Sequence, residues 1–290
     1  MRSRIVSRSG SAKNNIMYSR LQLAQKYLRY YLTAANGRGH GIHSPFVYDF
    51  VRNVLRDHTE YAAYGKIEEL RRRLLRDETM VEVEDMGAGS AQRAGRARKI
   101  SEIAKHAAKP AKLGQLLYRI ARYYRPAVVV ELGTSLGVSA GYLAAGARDG
   151  MPGPGAPGAG VWTIEGSPAI AEQAERNLEG LGLERVGVER GNFDVMMEPL
   201  LERIGPVGLA FVDGNHRREP TLHYFNSLLA HSGPSAILIF DDIHWSADME
   251  RAWKEIKTDV RVMMTIDLFF IGLVVIREEL KIKQDFTVRF

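Results

Sequence analysis

Residues 127–147 read AVVVELGTSLGVSAGYLAAGA. The stretch opens with AVVVELG (127–133), an almost unbroken apolar run of strand length, as a strand covered on both faces requires. It closes with VSAGYLAAGA, whose small and apolar residues suit a buried helix. Between them lies a turn in which Gly133 and Gly137 stand four residues apart. A buried strand that passes through glycines into a buried helix is a basic unit of an α/β fold. In open sheets of this kind, ligands bind beyond the carboxyl ends of the strands, where the strand order reverses.

Outward from this unit the alternation repeats. A helical pattern over 113–124 leads through Pro126 into the first strand. Later strands are expected at 161–166, 186–192, 208–214 and 235–242, with the helical patterns SPAIAEQAERNLEGL, FDVMMEPLLERI and TLHYFNSLLA between them. A helix over 247–258 precedes two strands near 261–267 and 270–277, joined too tightly for a crossover helix and therefore antiparallel. The expectation is an α/β fold: a doubly wound, mostly parallel seven-stranded sheet with a C-terminal antiparallel hairpin. The run DGMPGPGAPGAG (149–160) reads as a flexible loop.

The front of the chain has a different texture. Residues 1–110 read as a helical N-terminal extension of a domain over 111–290, with roughly the first 15 residues disordered. Helices are expected over Leu21–Thr33, closed by Asn36-Gly37, after an N-cap at Ser44 with Pro45 as first helical residue, and over Ile67–Arg76. The stretch 84–109 (EDMGAGSAQRAGRARKISEIAKHAAK) reads as a loop and then a helix, with no chemistry assignable from its residues.

Composition narrows the class. The chain has 290 residues, 45% hydrophobic and 26% charged, the balance of a globular protein. It contains no cysteine, which excludes disulfides, thiolate metal sites and cysteine nucleophiles. No apolar run reaches bilayer length, and MRSRIVSRSGSAKNN has no apolar segment behind its charges, so a cytoplasmic location is expected. The net charge of +6 belongs to the front, where Met1–Pro110 holds 21 Lys and Arg against 11 Asp and Glu. Arg71, Arg72, Arg73 and Arg76 suit the solvated face of a helix. The segment lacks the interleaved aromatics of a nucleic-acid surface, which makes such a partner the weaker reading.

The strand ends carry the candidate chemistry. The turn supplies Gly133, Thr134, Ser135, Gly137 and Ser139 in a G-x-x-x-G spacing, not the G-x-G-x-x-G of dinucleotide sites. Glu165 closes the second strand in TIEGSP, where a carboxylate accepts from both hydroxyls of a ribose, and Gly166 follows it. Glu131 suits the amino group of an amino-acid moiety. Ser139 and the amides at the helix start suit its carboxylate. An adenosyl ligand with an amino-acid tail is implied.

The ordered set ELGTSLGVS, TIEGSP, FVDGNH and LIFDD resembles the class I S-adenosylmethionine-dependent methyltransferases. Within them it is similar to the branch of catechol and caffeoyl-CoA O-methyltransferases, over about residues 111–290 of a Rossmann-like domain. The resemblance implies Glu131, Gly133, Ser139 and Glu165 as cofactor residues, and Asn192 near the adenine. It also implies a divalent metal such as Mg2+, for which this chain offers Asp213, Asp241 and Asp242, the last in place of the usual asparagine. Three converging carboxylates need a hard cation or another positive charge. His216, three residues after Asp213, stands where the branch tends to have a catalytic lysine, and is the candidate general base, with Asp213 also a catalytic and cofactor-binding candidate. His244 and Trp245 suit an acceptor wall or plain packing. His40 and His43 sit on a glycine-rich turn that could form part of a lid, and their spacing alone makes a poor metal site.

The function so implied is methyl transfer to an oxygen of a small or medium-sized acceptor, assisted by a divalent cation if one is bound. Methylation of RNA or protein through the basic front, a non-catalytic cofactor-binding module and a nicotinamide oxidoreductase remain as alternatives. The oligomeric state stays open, a homodimer included.

Overall fold

The structure is a computed structural model that describes residues 17–35, 43–84, 96–151 and 159–290. The strand 127–133 becomes β3 (Val128–Leu132), numbered after a short hairpin, β1 (Met80–Val83) and β2 (Arg96–Lys99), that precedes it. After it come β4 (Gly160–Glu165), β5 (Val186–Arg190), β6 (Val207–Val212), β7 (Ser232–Asp241), β8 (Met264–Asp267), β9 (Ile271–Val275) and β10 (Gln284–Thr287). Among the described residues the main sheet has eight strands in the order β10-β8-β9-β7-β6-β3-β4-β5. Neighbours from β5 to β7 run parallel, and β9 runs antiparallel to β7 and β8.

The parallel strands and the closing antiparallel pair follow the sequence expectation, with one correction. The sheet has an eighth strand, β10, parallel to β8. It is four residues long and alternates between half-buried and exposed positions. An edge strand so short and polar gives no apolar run to read.

Side chains of β3 alternate between two cores, as the pleat dictates. Val129 joins α2 (Pro45–Phe50), α3 (Ala62–Leu74), α5 (Ala111–Tyr124) and α6 (Val138–Gly150) on one face. Val128, Val130 and Leu132 join α8 (Phe193–Ile204), α9 (Arg218–Ala230) and α10 (Ala247–Thr258) on the other. All five residues of β3 are buried. Helix α7 (Pro168–Gly180) follows β4.

In the front segment, Ser44 caps α2 through its side chain and Pro45 opens the helix, which runs on into a π-turn over Val51–Leu55. Helix α1 (Arg20–Thr33) docks at the β10 edge of the sheet, where Ala35 bridges to Val288. There Tyr30 donates to the Val288 carbonyl, and Lys26 pairs with Glu250 at 2.9 Å. The stretch read as loop and helix contributes β2, which pairs antiparallel with β1 just before it, and α4 (Ile100–Ala107). Asn36-Gly37, His40 and most of the 149–160 run lie outside the described residues. No helix among the described residues is long and apolar enough to cross a membrane.

Candidate active site

Strand β3 has β4 on one side and β6 on the other, so the strand order reverses there. Beyond the carboxyl ends of these strands opens a cavity of about 970 Å³. Each strand delivers its last residues to it: Gly133–Leu136 after β3, Glu165 and Gly166 after β4, Gly191–Phe193 after β5, Asp213–His216 after β6 and Asp242 after β7.

The turn after β3 is shaped by close approach. Gly133 has φ +105°, and a Cβ there would run into the carbonyl oxygen of Asp213. Gly137 has φ +81° and stands at the N-cap of α6. Ser135, Asn215 and Asp242 adopt the left-handed region with side chains attached (φ 46°, 63° and 55°), and all three line the cavity. Such strain gathers where the surroundings over-determine the backbone.

Glu165 lines the cavity with both oxygens fixed. Oε2 accepts from the Ser135 amide and Oε1 from the Ser167 amide, each at 2.9 Å. Burial raises its pKa despite these amides. Each carboxylate oxygen still has capacity to accept from a ligand.

Glu131 lies behind the lining, fully buried. Thr163 Oγ1 donates to its Oε2 at 2.6 Å, while Oε1 has no partner among the described residues. Burial pushes its pKa up to about 8, against the pull of the nearby Thr163 and Ser139 hydroxyls. Thr134 and Ser139 line the cavity, and Asn192 does so while capping α8 with its side chain.

The acidic group on the far side of the turn holds a residue that sequence reasoning missed. Lys109, in the short link between α4 and α5, places its ammonium 2.9 Å from Asp213 Oδ1 and in hydrogen-bond contact with Asp241 Oδ2. Burial disfavours the charge, yet attraction from Asp241, Asp213 and Asp242 holds the ammonium above its ordinary pKa. Burial also works against ionised Asp213, but Lys109 and His216 keep it below the usual carboxylate range. Asp241, only 2% exposed, is pushed well above that range by burial and by Asp213. His216 stands with Nε2 3.5 Å from Asp213 Oδ1 and Nδ1 3.8 Å from Asp242 Oδ2.

Ligand atoms of Asp213, His216 and Asp241 come within 4.8 Å of one another. The oxygen-rich donor set is the kind a hard divalent cation takes. The ammonium of Lys109 already occupies the approach to Asp213 and Asp241, however, so a divalent ion does not fit with Lys109 in place. No signal marked Lys109 in the sequence, where it is one of several lysines in a basic stretch.

The remaining candidates divide. Trp245 lines the cavity at 39% exposure. His244 serves packing, bridging Glu250 (3.1 Å) and Asp267 (2.9 Å) and stacking on Phe269. His43 is exposed and lies off the cavity. The described rim comes instead from Val83, Glu84 and Arg98 of the hairpin region and from His106–Lys109.

A family model described as a methyltransferase domain matches residues 130–243. No curated protein matches the chain. Among solved structures, the O-methyltransferase from Bacillus cereus in complex with SAH is 19% identical with a TM-score of 0.52, covering 77% of this chain and 95% of that one. The O-methyltransferase TomG from Streptomyces achromogenes, involved in tomaymycin synthesis and in complex with SAM, is 20% identical with a TM-score of 0.51, covering 78% and 95%. An SAH-bound methyltransferase of Podospora anserina is 15% identical with a TM-score of 0.54, covering 91% and 99%. At these identities the likeness speaks for the fold.

Proposed function

We infer that this chain, whose residues 130–243 form a methyltransferase domain in the class I S-adenosylmethionine-dependent fold, methylates an oxygen of a small or medium-sized acceptor. One observation carries the reading: a single cavity joins the carboxylate of Glu165 and the glycine turn to Asp213, His216 and Trp245. Its volume is of the order that takes a small-molecule ligand.

The residues present fit the cofactor. Glu165, held by two amides, retains lone pairs for ribose hydroxyls. The orphaned Oε1 of Glu131 is a buried acceptor that lacks a donor, which an ammonium group would supply. Thr134, Ser135 and Ser139 lie around the start of α6, where free amides and the helix dipole suit a carboxylate. Asn192 lines the same cavity on the β5 side, in keeping with an adenine contact.

When bound, S-adenosylmethionine supplies a methyl carbon that its sulfonium has already made electrophilic. The protein's task is alignment and proton removal. The imidazole of His216, with Nε2 3.5 Å from Asp213 Oδ1, accepts the acceptor's hydroxyl proton. Trp245 and the rim residues Val83 and Arg98 restrict water and acceptor entry. Two structures of similar fold are named O-methyltransferases, which is in keeping with oxygen as the nucleophile here.

Calorimetric titration with S-adenosylhomocysteine tests the reading. Wild-type protein should bind one equivalent, Glu165→Gln should bind more weakly, and His216→Gln should bind normally while losing transfer to hydroxylated small molecules. Absence of binding to the wild type would overturn it.

A further inference from the structure

We propose that Lys109 is a built-in cation of the acceptor site, taking the place of a divalent metal between Asp213 and Asp241 and holding the acceptor oxygen through one N–H. The proposal rests on the methyl-transfer reading and names how that site handles its acceptor.

Geometry comes first. The Lys109 side chain is 15% exposed, that of Asp213 12% and that of Asp241 2%, so the charges meet largely out of water. An ammonium has three N–H donors. One reaches Asp213 and one Asp241. The third has no partner among the described residues, and Lys109 lines the cavity beside His216.

The cation is also well anchored. Pro110 follows it, which biases Lys109 toward extended backbone. Helix α4 before it buries Ile100, Ile103 and Ala104, and α5 after it buries Leu113, Leu116 and Leu117. Two packed helices thus hold the link that carries the ammonium, and little ordering is left to be done when an acceptor arrives.

The charge arithmetic agrees. Three carboxylates near one point repel unless positive charge compensates them. Lys109 and His216 are the basic side chains facing Asp213, and Asp242 faces His216 from the other side. A divalent ion would have to displace Lys109 to reach the same oxygens.

The step balances without a metal. The acceptor hydroxyl gives its proton to the imidazole of His216. Its oxygen forms the new C–O bond as the C–S bond breaks, and that electron pair stays on sulfur, leaving a neutral thioether. His216 later passes the proton to solvent. Lys109 keeps its protons throughout and stabilises negative charge on the oxygen as it develops.

This bears on the substrate. A divalent ion can chelate two adjacent hydroxyl oxygens, whereas a single N–H engages one. The site therefore needs one reactive hydroxyl on its acceptor, such as that of a simple phenol, and has no requirement for a vicinal diol.

Mn2+ titration of the full-length protein, followed by electron paramagnetic resonance, tests the proposal independently of turnover. Wild type should bind no Mn2+ at the cluster. Lys109→Met should open a Mn2+ site that Lys109→Met combined with Asp241→Asn removes, with S-adenosylhomocysteine affinity unchanged. Wild-type transfer to a monohydroxylated phenol should survive chelator, and Lys109→Met should lower kcat on the order of a hundredfold. A wild-type Mn2+ site that Asp241→Asn abolishes would overturn the proposal, as would loss of wild-type transfer in chelator. Failure of the wild type to bind S-adenosylhomocysteine would instead sink the methyl-transfer reading, and the Mn2+ titration would still decide what occupies the cluster.

Discussion

Thr163 Oγ1 donates to Glu131 Oε2 at 2.6 Å, and the other oxygen of that buried carboxyl has no donor among the described residues. The two residues face each other across the β3–β4 pair, in register as Glu131 and Thr163. Under the proposed function, that oxygen is open to a donor from the cofactor.

The first prediction concerns pH. With its pKa pushed up to about 8, Glu131 keeps in the folded state a proton that the unfolded chain releases in the ordinary carboxylate range. The native state then binds more protons than the unfolded one, and its stability falls as pH rises through this window. Glu131→Gln should lack that decline. Thermal melts of the ligand-free proteins should therefore converge at acid pH and separate up to about pH 8, with the variant the more stable. Parallel curves across the window would refute the assignment.

The same group should release a proton on cofactor binding. An ammonium beside Glu131 favours its ionised form, so S-adenosylmethionine binding at neutral pH should expel close to one proton. Calorimetry in buffers of different ionisation enthalpy reads this directly, and Glu131→Gln should abolish the buffer dependence along with much of the affinity.

The two turn glycines should differ in cost. At Gly133 a Cβ meets the backbone of Asp213, which cannot step aside, while at Gly137 the nearest atom is Leu178 Cγ at 3.3 Å. Both substitutions carry the strain of positive φ. Gly133→Ala adds overpacking and should cost on the order of 3 kcal/mol and abolish S-adenosylhomocysteine binding. Gly137→Ala should cost about 1 kcal/mol. Equal losses in denaturant titration would show that the contact with Asp213 relaxes.

Asp213→Asn separates turnover from binding. The change leaves the Lys109 ammonium with one fewer anionic partner and removes the charge beside His216. Turnover should fall on the order of a hundredfold while S-adenosylhomocysteine affinity changes little. Equal losses of both would assign Asp213 to cofactor binding.

Docking of α1 rests partly on Tyr30, which donates to Val288 and accepts from the Phe290 amide at 3.1 Å. Tyr30→Phe removes both bonds in a nearly buried place and should destabilise by about 1 kcal/mol. A thermal melt unchanged by the substitution would show that the hydrogen bonds of Tyr30 contribute little to holding the helix.

Much of the fold was legible in the chain. Buried parallel strands must be apolar along their whole length, and β3 with its glycine turn shows this without ambiguity. Strand ends in such a sheet converge by topology, so Gly133, Glu165, Asn192, Asp213, His216 and Asp242 could be expected in one place from their order alone, and they line one cavity. The sequence did not disclose β10 or the β1–β2 hairpin, because short exposed edges carry no periodic apolar signal.

Lys109 marks the limit of that legibility. Local pattern determines which residues end a strand or start a helix, because those choices depend on near neighbours. Whether an ammonium meets two carboxylates more than a hundred residues away depends on how α4 and α5 pack across the sheet. Only the tertiary structure decided that, since charge pairing acts through space and leaves no trace in spacing along the chain.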